Sequence, residues 1–173
     1  MKTELTNPGK VLPIITKPEG PKDLFREMFE WTDRIAKRAY ELFGMRGFTD
    51  GHDLDDWFAA ERELLKPVAL EVKNTPDEVM VRAEVPGFEP KDLEIEIEGI
   101  NLVIRGKHET TKEEKKKEGK TIYTERKTEE IYRVVELPAP VMVEMAKAEL
   151  KNGVLELKLP KAAKPKTIAI TAA

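Results

Sequence analysis

The sequence predicts a mainly β fold: an antiparallel β-sandwich that follows a small helical region and precedes an extended tail. From Val68 onward, apolar residues alternate with polar ones in several short runs, as at Val79 and Val81. A period of two residues indicates strands with one buried face. Asn152-Gly153, the dipeptide most typical of a two-residue β-turn, separates two of these runs. Because no helical pattern interrupts the runs, we expect the strands to pair in an antiparallel sandwich.

Two helices are predicted ahead of the sandwich. Between Gly20-Pro21 and Gly44, apolar residues recur at spacings of three and four, which indicates an amphipathic helix. These residues are Leu24, Met28, Trp31, Ile35, Ala39 and Leu42. A second, shorter helix is expected to have Asp53 as its N-cap and to end before Pro67. The predicted segments are a flexible arm (1–20), the helical region (21–66), the sandwich (67–160) and the tail (161–173).

The charge balance and the hydropathy exclude several classes of partner. Charged residues make up 36% of the chain, yet the formal net charge is only -3. Charges of both signs are therefore interspersed, whereas a dedicated nucleic-acid binder usually carries a basic excess. No stretch approaches the roughly 18 apolar residues that cross a bilayer, and the start of the chain has no apolar region of secretory type. We expect a cytoplasmic protein with no nucleic-acid partner and no stable membrane insertion.

Catalytic and metal-binding chemistry are not expected. The chain has no cysteine, which excludes disulfides and thiolate metal sites, and it has no serine nucleophile. Its two histidines, His52 and His108, are far apart in the sequence, and each is interpreted as a surface residue. A Gly-Lys-Thr run at 119–121 resembles the end of a phosphate-binding loop, but Glu114 stands where that motif needs a glycine. The chain is therefore predicted not to be an enzyme and to need no cofactor.

The β-turn region carries a specific resemblance. Ala148 is followed, after three residues, by Asn152-Gly153-Val154-Leu155. This pattern resembles the signature of the α-crystallin domain of small heat-shock proteins. Two further segments are similar to other motifs of that family and occur in the same order. They are Val85-Pro86-Gly87-Phe88 followed by Asp92-Leu93, and Tyr132-Arg133 followed by Leu137-Pro138. The resemblance covers approximately residues 66–170 and implies an immunoglobulin-like sandwich of the bacterial type.

The same resemblance implies a function and two kinds of contact. Members of the family are ATP-independent holdase chaperones, dynamic homo-oligomers that bind partly unfolded client proteins and prevent their aggregation. Ile122, Tyr123 and Arg133 match positions that the resemblance places at the dimer interface. Ile168 and Ile170, with one residue between them, are similar to the family's tail anchor, which binds a groove on a neighbouring dimer. The alternative is a structural self-assembling scaffold, or a designed oligomer on the same fold, without chaperone activity.

The helical region resembles, over residues 35–64, a short bacterial helical module of unknown function. The resemblance rests on Ala39-Tyr40-x-Leu42-Phe43 and on Asp56-Trp57-x-x-Ala60-Glu61. It implies no activity.

Large apolar residues before Pro67 are the predicted client-binding surface, because exposed apolar patches attract the apolar surface of unfolding proteins. The candidates are Leu12, Ile14, Phe25, Phe29, Trp31, Phe43, Phe48, Trp57 and Phe58. The alternative is that the aromatic residues pack a small helical subdomain. The run from Val11 to Ile15 is also a candidate mimic of the tail anchor, because it presents alternating apolar residues.

Overall fold

The computed structural model describes residues 10–11, 14–15, 24–115 and 121–163, with side chains described over 24–111 and 125–163. By its contacts the chain forms two compact units. The sandwich unit comprises the described parts of Met1–Lys17, Val68–Ile104 and Arg133–Ala173. The helical unit comprises those of Pro18–Pro67 and Arg105–Tyr132.

The described residues form nine strands in two sheets. In chain order the strands are β1 (Lys10–Val11), β2 (Ile14–Ile15), β3 (Leu70–Asn74), β4 (Glu78–Glu84), β5 (Leu93–Glu98), β6 (Asn101–Lys115), β7 (Thr121–Glu136), β8 (Lys147–Lys151) and β9 (Val154–Pro160). One sheet has the order β1-β8-β9-β4-β3, with antiparallel pairs throughout. The other has the order β2-β5-β6-β7, with β2 parallel to β5. The predicted mainly β architecture is confirmed.

The core of the sandwich unit forms where the alternating pattern buries one face of each strand. β4 and β9 pair in a register that places buried apolar residues opposite each other. The opposed pairs are Val79 with Leu159, Val81 with Leu157, and Ala83 with Leu155. Buried residues of the other sheet in this unit include Ile95, Ile97, Leu102 and Ile104. Each large aliphatic side chain that is fully buried contributes roughly 1.5 to 3 kcal/mol, so these pairs hold the sandwich together.

The turn between β8 and β9 brings two of the sequence motifs together. Asn152 and Gly153 have φ angles of 51° and 73°, and a two-residue hairpin turn of type I′ needs positive φ at both positions. The N–H of Val85 donates to the C=O of Gly153 at 2.7 Å. A Cβ atom added to Gly153 would lie 3.1 Å from Cα of Pro86. Glycine is therefore required here both for the backbone conformation and for the close approach of Pro86.

The helical unit contains two helices, which are linked by ion pairs. They are α1 (Leu24–Met45) and α2 (Asp53–Leu64). Arg46 forms a bidentate pair with the buried carboxylate of Asp56, with Nη1 at 2.7 Å from Oδ1. Nε of Arg38 donates to Oε2 of Glu63 at 2.6 Å. Residues 24–66, which comprise both helices and the start of the following segment, are called the helical module below.

The start of α2 differs from the sequence prediction, and two strands are longer than the apolar alternation alone indicates. The N-cap of α2 is His52, and Asp53, the predicted cap, is already the first helical residue. Acidic residues are favoured throughout the first turn by the helix dipole, so their presence does not mark the cap itself. β6 and β7 extend into the charged segment that follows Gly106. Pairing between neighbouring strands satisfies their backbone groups even where the side chains do not alternate.

We expect Gly153→Ala to lower the free energy of unfolding by about 2 to 4 kcal/mol, because it adds left-handed strain and overpacks the Pro86 backbone. Gly99→Ala is the matched control: Gly99 has a φ of 62°, and its added Cβ would meet nothing within 4 Å. Strain alone should therefore cost this control about 1 to 2 kcal/mol. Urea unfolding of both variants measures the difference. Equal losses would show that the contact with Pro86 has no energetic consequence.

Candidate assembly edges and apolar surfaces

The amino-terminal arm adds one short strand to the end of each sheet. The antiparallel pairs between β1 and β8 are Lys10 with Leu150 and Val11 with Glu149. The parallel pairs between β2 and β5 are Ile14 with Ile95 and Ile15 with Glu96. In both sheet orders the arm strand is outermost. The edges of β8 and β5 therefore accept a short extended segment by strand addition.

The five-stranded sheet ends at β3 on its other side. In the described part of the chain, β3 pairs only with β4, and four of its five residues are exposed. Nζ of Lys73 lies 3.3 Å from Oε1 of Glu71, so charged groups line this strand. An edge strand is a template for pairing with another chain, and charged residues on it limit unspecific pairing. The edge of β3 is thus a second candidate contact between subunits.

Several predicted contact residues are only partly described. Outside the described residues lie Leu12, Ile168 and Ile170. Described by their backbone alone are Ile14 in β2 and Ile122 and Tyr123 in β7. Arg133 is exposed on β7. The tail and dimer contacts stay predictions.

Two phenylalanines give α1 an exposed apolar surface. Phe25 and Phe29 are 69% and 72% exposed and lie one helical turn apart. Phe48 and Phe58, which were also predicted to bind clients, are exposed as well. Exposed apolar groups that cluster mark interaction surfaces. These four residues are therefore placed where a client could reach them.

The other predicted client-binding aromatics contribute to the packing of the helical unit. Trp31, Phe43 and Trp57 are half-buried. The ring of Phe43 packs edge-on against that of Phe48, with a distance of 5.3 Å between the centroids. These three residues thus take part in packing, as the alternative interpretation expects, and client binding by the exposed four stays a prediction.

Three exposed residues of the helical module were missed in the sequence. Tyr40 and Met45 of α1 and Leu54 of α2 are strongly exposed. The Tyr40 ring lies 6.4 Å from that of Phe48, which enlarges the apolar surface there. These three residues lie off the apolar stripe of their helices, where polar residues are expected. Their spacing in the sequence therefore did not indicate an apolar surface.

Charged groups join the helical module to β7 within the helical unit. Nζ of Lys66 donates to Oε2 of Glu129 at 3.0 Å, and Nζ of Lys127 lies 2.9 Å from Oε1 of the same carboxylate. The hydrogen bond from Lys127, followed by that from Lys66, lowers the pKa of Glu129. A carboxyl group whose pKa is lowered by folding stabilises the fold above its unfolded pKa, and this contribution is lost as the pH falls through the lowered value. The contact is therefore present at neutral pH and weakens in acid.

The described residues provide no candidate metal site. Within residues 10–11, 14–15, 24–115 and 121–163, no group of three or more His, Asp or Glu side chains could hold a metal ion. Nδ1 of His52 lies 3.2 Å from Oδ2 of Asp55, on the surface. In the same part of the chain, none of the helices combines the length and the apolar character that a membrane span needs.

Two family models match this chain, and the boundary between the two matches coincides with the change from the helical to the β pattern. The sequence model of the Hsp20/alpha crystallin family matches residues 71–171. A second model, described as a protein of unknown function (DUF2934), matches residues 30–66. The first match contains the signature from Ala148 to Leu155, and the second covers most of the helical module.

Individual relatives agree with the family match. The chain is 37% identical over 94 residues to the spore protein SP21 of Stigmatella aurantiaca, which is 54% of this chain and 54% of that protein. It therefore spans about half the length of that relative. The 22.7 kDa class IV heat shock protein of Pisum sativum is 35% identical over 153 residues, covering 88% of this chain and 71% of that one.

A solved structure, heat shock protein 16.0 of Schizosaccharomyces pombe, matches 61% of this chain and 96% of its own with 28% identity and a TM-score of 0.45. The family match does not depend on this similarity. Since the family model spans more than half of the 173 residues, the chain belongs to the Hsp20/alpha crystallin family.

Proposed function

We propose that the chain is an ATP-independent holdase, a homo-oligomer that binds partly unfolded proteins and prevents their aggregation. The observation that carries the proposal is the exposure of Phe25 and Phe29 in a folded chain of this family. A protein that unfolds exposes apolar surface of its own, and burial of one large apolar side chain contributes roughly 1.5 to 3 kcal/mol. Relatives named as heat shock proteins support the same function. A cytoplasmic location stays a prediction.

Client binding of this kind needs no nucleotide. Each apolar contact is weak and reversible, and several subunits can hold one client at the same time. Linked weak contacts give a high overall affinity without any new chemistry. The client is released when it refolds, because refolding buries the surface that was bound.

Assembly would begin with a dimer. By resemblance to the family, residues 121–125 of one subunit would pair with a strand edge of the other, and Arg133 would lie at that interface. The edge of β3 supports this proposal, because in the described residues it has one paired side only. A symmetric dimer would result, since each subunit offers the same strand and the same edge.

Larger assemblies would form through the tail. Ile168 and Ile170 would add to the edges of β8 and β5 on a neighbouring dimer, where the chain's own arm already pairs by its backbone. Burial of both isoleucines contributes roughly 3 to 6 kcal/mol before the cost of ordering the tail. Each contact is then weak, and the oligomer depends on many of them together.

We expect Phe25→Ala with Phe29→Ala to weaken client protection, so that at least about tenfold more chaperone is needed for the same effect. Light scattering from a heat-denatured client enzyme, without ATP, measures the protection. Arg26→Ala with Glu30→Ala is the matched control, because this exposed pair lies on the same helix and removes no apolar surface. Unchanged protection by the phenylalanine variant would contradict the assignment of α1. A purely structural assembly would protect no client even without substitution.

The substitution of both tail isoleucines by alanine should reduce the assembly to dimers, because each tail loses its apolar anchor. Sedimentation velocity measures the size distribution, and Thr171→Ala, which leaves both isoleucines in place, is the control. If the large assembly persists in the double variant, the tail is not the link between dimers.

A tail peptide of residues 162–173 should bind more tightly to a chain that lacks residues 1–17 than to the full chain. The arm must leave the edges of β8 and β5 before the peptide can bind, and an arm bound nine-tenths of the time would lower the affinity about tenfold. Fluorescence anisotropy of the labelled peptide measures both affinities, with the double-alanine peptide as control. Equal affinities would show that arm and tail use different edges.

A further inference from the structure

The helical module contacts the outer parts of β6 and β7, which are residues 105–115 and 121–132 and are called the outer hairpin below. On β6, Nε of Arg105 donates to Oε1 of Glu27 at 2.7 Å, and Nη2 donates to Oε2 at 2.5 Å. Such a bidentate, charge-assisted pair is both stronger and more directional than a single contact. The side chains of Arg105 and Glu27 are only 13% and 21% exposed, so solvent screens the pair weakly.

On β7, the same face of α1 makes an aromatic contact. The ring of Trp31 stacks on that of Tyr132, with centroids 5.8 Å apart and planes inclined by 25°. The guanidinium of Arg34 lies 4.0 Å from the Trp31 ring and reaches Oε2 of Glu130 at 3.4 Å. Residues 27, 31 and 34 are spaced four and three apart, so one face of α1 makes all of these contacts.

The end of the helical module also holds the β7 backbone. The N–H of Lys66 donates to the C=O of Glu130 at 2.8 Å, while its Nζ reaches the Glu129 carboxylate. A backbone hydrogen bond fixes the position of a strand along its length. The module thus contacts β6 at Arg105 and β7 at Glu129, Glu130 and Tyr132, and it favours the arrangement in which both strands stay side by side.

We propose that the helical module is a clamp on the outer hairpin. The clamp controls how readily the first part of β7 leaves β6 and pairs with a neighbouring subunit. This inference rests on the proposed function, in which residues 121–125 pair with a partner. β6 and β7 are neighbours in one sheet, so the first part of β7 must separate from β6 before it can pair elsewhere. Contacts that bridge the two strands oppose this separation. The module whose family has no assigned function therefore sets the rate of dimer formation and exchange.

The clamp is tested by reversing one charge in the full chain. Glu27→Arg places two cations together and should raise amide hydrogen exchange across residues 121–132. It should also speed the mixing of subunits about tenfold, since one bidentate charged pair is lost. The double variant Glu27→Arg with Arg105→Glu restores the pair and should return both values to those of the unchanged chain. Mixing is followed by native mass spectrometry of light and isotope-labelled chains.

Two further variants keep the test decisive. Glu27→Gln removes the charge with little change of shape, and it gives a smaller effect of the same sign even if Glu27→Arg disturbs the helix. Arg26→Ala with Glu30→Ala removes an exposed pair on the same helix, with side chains 70% and 67% exposed, and should change neither measurement.

The outcomes separate the clamp from the proposed dimer. If deletion of residues 122–125 abolishes dimers but subunits of the Glu27→Arg variant mix as slowly as those of the unchanged chain, the clamp is wrong and the proposed dimer stands. Faster amide exchange without faster mixing also overturns the clamp. If dimers persist after the deletion, the proposed strand exchange itself is wrong. The clamp is then wrong as well, because it depends on that exchange.

Discussion

The free edges of the two sheets constrain the rest of this structure. A strand at the end of a sheet leaves backbone N–H and C=O groups available to another chain, which invites both assembly and aggregation. At β8 and β5 the arm covers these groups with two residues each. At β3 the described residues offer charged side chains, Glu71 and Lys73, in place of a covering strand. The covering strands at β8 and β5 are thus short enough to be displaced, and the charges at β3 limit unspecific pairing, which suits the reversible assembly proposed above.

The faces of α1 combine three uses in one helix. Leu24 and Ile35 are buried, whereas Phe25 and Phe29 face solvent. A third face, which carries Glu27, Trp31 and Arg34, contacts the outer hairpin. A helix can separate these uses because its side chains radiate at 100° intervals, so neighbours in sequence point in different directions. The remaining surface of α1 carries ion pairs such as Asp33 with Lys37, so charged side chains surround the exposed apolar groups.

Much of the sandwich was predictable from local pattern, and the long-range contacts were not. The alternation at Val79 and Val81 predicted β4, and Asn152-Gly153 predicted a turn whose φ angles are both positive. The charged outer parts of β6 and β7 carry no apolar alternation, so pattern alone gives no indication that these strands continue there. The partner of Trp31, Tyr132, lies about a hundred residues away, and no spacing rule connects the two. Two-residue strands such as β1 are too short to show a period, and the apolar run from Val11 to Ile15 indicates only a candidate anchor.

If the tail adds to β8 and β5 as proposed, the arm that pairs there would also make assembly depend on the concentration of the protein. A tethered strand competes with a free one at a fixed effective concentration, typically in the millimolar range for a short linker. A neighbour's tail would displace the arm to a larger extent only as the protein concentration rises. At low concentration the arm would stay paired with its own sheets and few chains would assemble. At high concentration tails would link neighbouring dimers, so that synthesis of the protein alone could shift the population toward the assembly.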